Sequence, residues 1–288
     1  MEIILGEKSG FCYGVQNAVD KAEKELIHSN ECIYCLGELV HNQTVKKELE
    51  NKGLAFINDI TEAKGRTIIR AHGIAKEVYE EAEKSNIELV DLTCPNVLKI
   101  HKMAEEYMKK GYYIFIIGKK DHPENIGTIS FAGQNSNIIS DFEEVDLAIK
   151  EFEKSNIKEL LIISQTTFSL TKFDKIVEAI ENGIQKDVKL EIKNTICLAT
   201  ELRQKETEEI SKQVEFMIVI GGKNSSNTTK LYEICLKNCS NVIHIEDEKE
   251  LEVEKILQYQ KVGIVAGAST PKASIDKVIN LLKNKEEF

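Results

Sequence analysis

Asp91-Leu92-Thr93-Cys94-Pro95-Asn96-Val97 joins an apolar run, Ile87 to Leu92, to a stretch of helical composition, with a cysteine at the junction. The same arrangement recurs at Ser9-Gly10-Phe11-Cys12-Tyr13-Gly14-Val15, after Ile3-Ile4-Leu5, and at Asn194-Thr195-Ile196-Cys197-Leu198-Ala199, after Val188 to Ile192. A short apolar run followed by a 3.6-residue period reads as a strand leading into a helix. A thiol at such a junction sits at a helix N-terminus, where partial positive charge and unsatisfied N–H groups favour thiolate, the form that ligates metal or attacks carbon. A lone cysteine is more often a small buried hydrophobe. Three in matched contexts point to one shared centre.

The spacing around them repeats. From each key cysteine to the glycine ending the next apolar strand is 25 residues (Cys12 to Gly37), 24 (Cys94 to Gly118) and 24 (Cys197 to Gly221). Four residues past each glycine stands a small polar group: His41, His122 and Ser225. A third landmark ends another apolar strand, at His72, Thr166 and Ser269. Self-similarity at this scale indicates an internal threefold repeat. Strands alternating with helical patterns such as Gln43 to Leu49, Ala75 to Lys84, Leu170 to Glu181 and Asn227 to Leu236 argue for a small parallel α/β sheet in each unit, with ligand groups at the carboxyl ends of the strands. The units are expected over residues 13–95, 96–193 and 194–288. After Ser269 only a helix remains, so the third lacks a closing strand, and the N-terminal segment 1–12 is expected to supply it. Such a ring would point Cys12, Cys94 and Cys197 inward.

Composition narrows the function. Of 288 residues 42% are hydrophobic, enough for a packed core, and 38 basic against 48 acidic residues leave a net charge of −10. That balance gives no footprint for nucleic acid or an anionic membrane. Only Arg66, Arg70 and Arg203 are arginines, and none occupies a repeated position, so phosphate would be held by other groups. With a start that lacks a basic leader and no apolar run near the roughly 18 residues of a membrane span, the chain is expected to be cytoplasmic. Seven cysteines there favour metal or catalytic use over disulfides.

Thiolate softness makes zinc or iron-sulfur the candidates for Cys12, Cys94 and Cys197. Three thiolates without a repeated fourth ligand are an incomplete set for structural zinc or an electron-transfer cluster, which implies an open position and chemistry there. A Cys₃His zinc site stays open as an alternative. Cys32 and Cys35 form C-x-x-C within a predicted strand, where positions three apart face opposite sides, and Cys235 and Cys239 suit core packing. Gly221-Gly222-Lys223-Asn224-Ser225-Ser226-Asn227-Thr228 can hold a phosphate at a helix N-terminus, although it lacks the Walker A order. His28, His101 and His244 read as structural or surface residues. Glu124, two residues after His122, is a candidate proton donor with a raised pKa, and Thr166 and Thr167 could relay its proton or orient a substrate hydroxyl.

Taken together, Gly10-Phe11-Cys12-Tyr13-Gly14-Val15, Val40-His41-Asn42, Ala71-His72-Gly73, Asp91-Leu92-Thr93-Cys94-Pro95, Gly118-Lys119-Lys120-Asp121-His122-Pro123-Glu124, Ser164-Gln165-Thr166-Thr167, Asn194-Thr195-Ile196-Cys197, Ser225-Ser226-Asn227 and Gly267-Ala268-Ser269-Thr270-Pro271 resemble the 4-hydroxy-3-methylbut-2-enyl diphosphate reductases of the non-mevalonate isoprenoid pathway. The resemblance covers nearly the whole chain. It implies a trefoil of three α/β units around a 4Fe-4S cluster, held by Cys12, Cys94 and Cys197 with one iron open. It implies diphosphate binding by His41, His72, His122, Ser225, Ser226, Asn227 and Ser269, with Glu124 and Thr166 serving proton delivery. The reaction implied is reductive removal of an allylic hydroxyl to give isopentenyl and dimethylallyl diphosphates, with ferredoxin or flavodoxin as electron donor. A zinc-stabilised phosphate-binding module and an iron-sulfur electron carrier are the competing readings. Cys32, Cys35, Cys235 and Cys239 lie outside the family pattern.

Overall fold

Tyr113-Ile114-Phe115-Ile116-Ile117 and Phe216-Met217-Ile218-Val219-Ile220 are buried at every position, the pattern of strands covered on both faces within a parallel sheet. The computed structural model describes residues 1–29 and 31–286. In chain order its elements begin β1 (Glu2–Leu5), α1 (Tyr13–His28), β2 (Ile33–Leu36), α2 (Gln43–Asn51), β3 (Leu54–Ile57), β4 (Thr67–Ile69), α3 (Lys76–Lys84) and β5 (Leu89–Asp91). There follow α4 (Pro95–Lys109), β6 (Tyr113–Ile117), α5 (Pro123–Ala132), β7 (Ser136–Ile139), α6 (Val145–Lys154), β8 (Glu159–Ser164), α7 (Leu170–Gly183) and β9 (Lys189–Ile192). The last are α8 (Leu198–Ser211), β10 (Phe216–Ile220), α9 (Ser226–Asn238), β11 (Val242–Ile245), α10 (Val253–Ile256), β12 (Lys261–Ala266) and α11 (Lys272–Glu286).

The strands form three four-stranded sheets, ordered β3-β2-β4-β5, β7-β6-β8-β9 and β11-β10-β12-β1. All their pairings are parallel. The order is the same each time, so the internal repeat is a repeat of topology. β1 pairs with β12 in the register Glu2↔Lys261 to Leu5↔Ile264, taking the place that β5 and β9 take in their own sheets. By its contacts the chain forms two compact units, Met1–Val19 with Val40–Lys52 and Leu198–Phe288, and Asp20–Leu39 with Gly53–Cys197. α2 thus belongs with the unit that carries β10 to β12.

Within the second unit, helix period and sheet burial agree. α6 buries Val145, Ala148, Ile149 and Phe152, and α7 buries Phe173, Ile176, Val177 and Ile180, each set at i, i+3, i+4, i+7. Both stripes join one core with Phe115, Leu160 and Ile162. Full burial of each Val, Ile or Phe side chain contributes about 1.5–3 kcal/mol, so these stripes, rather than propensity, fix the two helices on the sheet. A second core on the opposite face packs α4 and α5 through Ile100, Ala104 and Ala132 against Ile114, Ile116, Leu161 and Ile163. In the first unit, Ile275, Val278 and Leu282 of α11 seat on Ile218, Ile264 and Val262. On the other side Leu231 and Cys235 of α9 and Ile210 of α8 pack on Met217, Val219 and Val265. In this way both units pack their central strands between helices on either face.

Candidate active site

The carboxyl end of each sheet is built by the same hydrogen bonds. The N–H of Gly37, Gly118 and Gly221 donates to Ile57, Ile139 and Ile245, the last residues of β3, β7 and β11, at 2.8, 3.0 and 2.9 Å. Beyond the closing strand the loops differ, since Cys12 comes seven residues after β1, Cys94 three after β5 and Cys197 five after β9. Their main-chain N–H groups nevertheless reach matching carbonyls, on Ala268, Ala71 and Thr166, at 3.0, 2.9 and 2.9 Å. Each cysteine then immediately precedes a helix, α1, α4 or α8. Sheet register refines the repeat. Leu36↔Ile69, Ile117↔Ser164 and Ile220↔Ala266 make Thr167, not Thr166, the counterpart of His72 and Ser269. Counting forward from the glycines cannot see this, because the loops vary in length.

In the second unit, α5 opens on His122, whose Nδ1 accepts the Glu124 N–H at 3.2 Å. That bond leaves Nδ1 unprotonated and puts the ring proton on Nε2. The His72 ring meets the His122 ring edge-on, with centroids 5.6 Å apart. Glu124 is 2% exposed, and both its oxygens face Thr166. Burial pushes its pKa up to about 7, against the lowering effect of the main-chain and hydroxyl bonds from Thr166. Buried Gln165 and Asn125 lock the neighbouring turn: Gln165 Oε1 accepts from Lys119 N–H at 3.1 Å and Asn125 Nδ2 at 3.0 Å, while its Nε2 donates to Thr167 Oγ1 at 2.8 Å. His101, read from sequence as structural or surface, is buried against Phe131, and burial drops its pKa to about 4, so it stays neutral.

In the first unit, Ser225 caps α9 by accepting the Thr228 N–H at 3.4 Å, and Ser225, Ser226 and Asn227 are all buried. Asn227 is 3% exposed, with neither amide oxygen nor amide nitrogen hydrogen-bonded. Ser269 Oγ donates to the His41 carbonyl at 3.0 Å, and a Cβ on Gly222 would come within 2.7 Å of that same oxygen. The His41, Ser225 and Ser269 loops are thereby brought together. The cap of α2 is Asn42, whose side chain accepts the Val45 N–H at 3.1 Å, so His41 is spared from capping. Arg203 Nη2 donates to Gly10 O at 2.8 Å and its Nη1 to Ala199 O at 3.0 Å, tying the loop before Cys12 to the start of α8.

A model of the LytB protein family matches residues 3–283. The chain belongs to the LytB family. Among curated relatives of this LytB chain, the 4-hydroxy-3-methylbut-2-enyl diphosphate reductase of Caldanaerobacter subterraneus subsp. tengcongensis is 42% identical over 289 residues, 99% of this chain and 97% of that one. That of Alkaliphilus oremlandii is 40% identical over 287 residues, 99% of this chain and all of the other. The solved E-1-hydroxy-2-methyl-but-2-enyl-4-diphosphate reductase from Plasmodium falciparum superimposes with a TM-score of 0.90 at 31% identity, covering 98% of this chain and 88% of that one. A solved (E)-4-hydroxy-3-methyl-but-2-enyl diphosphate reductase, described as the terminal enzyme of the non-mevalonate pathway, gives 0.71 at 35% identity, covering 99% of this chain and all of that one.

The LytB chain has no disulfide among its seven cysteines. Cys12, Cys94 and Cys197 are partly exposed, whereas burial seals Cys35 and Cys235 and pushes each thiol up to about 12. Cys32, by contrast, is exposed and lies outside the repeat. Among the described residues no group of three or more His, Cys, Asp or Glu is gathered as a ready metal site. The fit of a cluster therefore rests on the donor chemistry: three thiols of matched backbone setting, each followed by a helix. No helix among the described residues is long and apolar enough to cross a membrane. The positioning roles of Gln165, Asn125 and Arg203 rest on contacts that the sequence does not announce.

Proposed function

We propose that this chain removes the allylic hydroxyl of (E)-4-hydroxy-3-methylbut-2-enyl diphosphate, consuming two electrons and two protons and releasing water, to give isopentenyl and dimethylallyl diphosphates. The observation that carries the reading is the Glu124 carboxyl, buried, pushed to about 7 and facing Thr166, in a member of a family whose relatives bear the reductase name. Cys12, Cys94 and Cys197 would hold a 4Fe-4S cluster. Such a cluster supplies single electrons and, at an iron without a cysteine, Lewis acidity.

The chain's own residues supply binding and protons. His41, His72, His122, Ser225, Ser226, Asn227 and Ser269 are assigned to the diphosphate. Histidine N–H groups, hydroxyls and the α9 N-terminus suit an anion without arginine clamps. The unused amide of Asn227 supports a ligand there, since a buried amide without partners costs about 1–3 kcal/mol per group. Glu124 is poised to give up a proton near neutral pH, and the Thr166 hydroxyl holds the carboxyl in place and shares its proton network. Loss of hydroxide from the substrate needs one proton and the resulting allyl fragment needs another. Delivery to either end of that fragment accounts for two products. We assign the electrons to a reduced ferredoxin or flavodoxin and the activity to the cytoplasm, the latter supported by the disulfide-free cysteines.

The test is iron, acid-labile sulfide and zinc analysis on anaerobically purified protein, followed by turnover of the allylic diphosphate with a chemical reductant. Iron with sulfide and both products is the expected result. Zinc without sulfide, or a cluster without turnover, would reject the reading.

A further inference from the structure

The first turn of α4 carries a side chain that the reaction as described leaves unused. Asn96 lies two residues after Cys94 and is exposed, and its Nδ2 donates to Cys197 Sγ at 3.1 Å across 101 positions of sequence. The helix begun by one key cysteine thus touches the sulfur of another. Two residues after Cys12 and Cys197 stand Gly14 and Ala199, which have no donor side chain, so the threefold pattern is broken at this position.

We propose that Asn96 tunes the reduction potential of a cluster held by Cys12, Cys94 and Cys197, an inference that rests on the reductase reading. A ligating thiolate carries part of a cluster's negative charge. An N–H donor aimed at it stabilises the reduced, more negative state more than the oxidised one, and so raises the potential. Helix capping does not explain the contact. The first turn of a helix asks for acceptors to meet its unsatisfied N–H groups, whereas Asn96 presents its donor to a sulfur. A ligating sulfur carries no proton, so only the nitrogen side of the amide makes an attractive contact with it, which fixes the orientation independently of atom assignment. The amide is also neutral and does not titrate, so its influence persists at any working pH. A reaction that draws electrons through the cluster benefits from a donor that eases its reduction by a small external protein.

The experiment uses the full chain, purified anaerobically with its cluster, as wild type, Asn96→Leu and Asn96→Asp. Iron and sulfide per chain are measured first, then the midpoint potential by a redox titration followed by electron paramagnetic resonance. Iron content equal to wild type, a more negative midpoint for Asn96→Leu and a still more negative one for Asn96→Asp, which adds negative charge while removing the donor, is the expected order. A wild-type midpoint in Asn96→Leu, or a midpoint in Asn96→Asp above that of Asn96→Leu, overturns the proposal. Loss of iron from Asn96→Leu with an unmoved potential in the remainder assigns Asn96 to retention alone and overturns it equally. A wild type without iron and sulfide would sink the reductase reading together with this inference, whereas a loaded wild type with an unmoved variant sinks the inference alone.

Discussion

Both oxygens of the Glu124 carboxyl are held by one residue, Thr166, whose main-chain N–H reaches Oε1 at 2.6 Å and whose hydroxyl reaches Oε2 at 2.7 Å. Two donors lower a carboxyl pKa, yet burial wins and leaves it near 7, above its usual 4.5. The folded state therefore binds a proton more tightly than the unfolded state. That contribution is fully present below about pH 4.5 and is lost as pH rises through 7. Removing the ionisable group should make Glu124→Gln gain on the wild type between those limits, by roughly 3 kcal/mol for a shift of this size. Urea unfolding at pH 5 and pH 8 measures it. Parallel stability profiles for the two proteins would show that Glu124 titrates normally.

The same carboxyl governs turnover. Glu124→Gln keeps size and hydrogen bonding but has no proton to give, so kcat should fall by roughly the 10²–10⁴ typical of general acid catalysis. Pyrophosphate affinity and iron content should be unchanged, and wild-type activity should decline as pH rises through about 7. Normal turnover in the loaded variant would pass the proton role to a group linked to Thr166.

Much of this was legible in the chain itself, for identifiable reasons. Tyr113–Ile117 and Phe216–Ile220 announce buried parallel strands because nothing polar interrupts them, and the strand expected from the N-terminal segment is Glu2–Leu5, paired with β12. Glu124 stood out because it follows His122 at a strand-to-helix loop. What stayed hidden depended on register or on distance in sequence. Thr167 rather than Thr166 matches His72 because the preceding loops differ in length. Asn96 and Cys197, 101 residues apart, become partners only once the chain is folded.

The cysteines divide cleanly enough to be tested as two classes. Ser in place of Cys12, Cys94 or Cys197 should remove the visible absorption and iron of the protein, because each supplies one thiolate and the rest are sealed in cores or lie outside the repeat. Cys235→Ser, at a buried thiol among Met217, Val219 and Leu231, should keep the iron and lose stability instead. Full iron in Cys94→Ser would defeat the assignment.

Asn227 should separate stability from function. Its buried amide has no partner in the folded chain, so Asn227→Ala removes a cost as well as some packing, and the melting temperature should move little or rise. If that amide holds the substrate, losing a hydrogen bond to a charged group costs roughly 1.5–3 kcal/mol, and pyrophosphate affinity should drop about tenfold or more. Calorimetry on both proteins decides it, and equal affinity would move the diphosphate elsewhere.

The backbone after His72 offers the sharpest mechanical test. Gly73 has φ 75°, a region that side chains avoid, and a Cβ there would stand 2.8 Å from His101 Cε1 and 3.2 Å from Thr93 Cγ2. The imidazole cannot retreat, because it is 3% exposed, stacked on Phe131 with centroids 4.6 Å apart, and also flanked by Gly127, where a Cβ would meet its Nε2 at 3.1 Å. Gly53 supplies the control, since its φ is 99° but nothing lies within 4 Å of a Cβ built on it. Gly53→Ala should therefore cost only the backbone strain, about 1–2 kcal/mol. Gly73→Ala should cost that plus about 1–3 kcal/mol of overpacking, and should also weaken pyrophosphate binding by displacing His72. On a His101→Ala background the Gly73→Ala penalty should shrink toward the Gly53 value, since the obstructing ring is gone. A Gly73→Ala variant no less stable than Gly53→Ala would mean that the His101 ring yields, and that the His72 loop is not fixed by it.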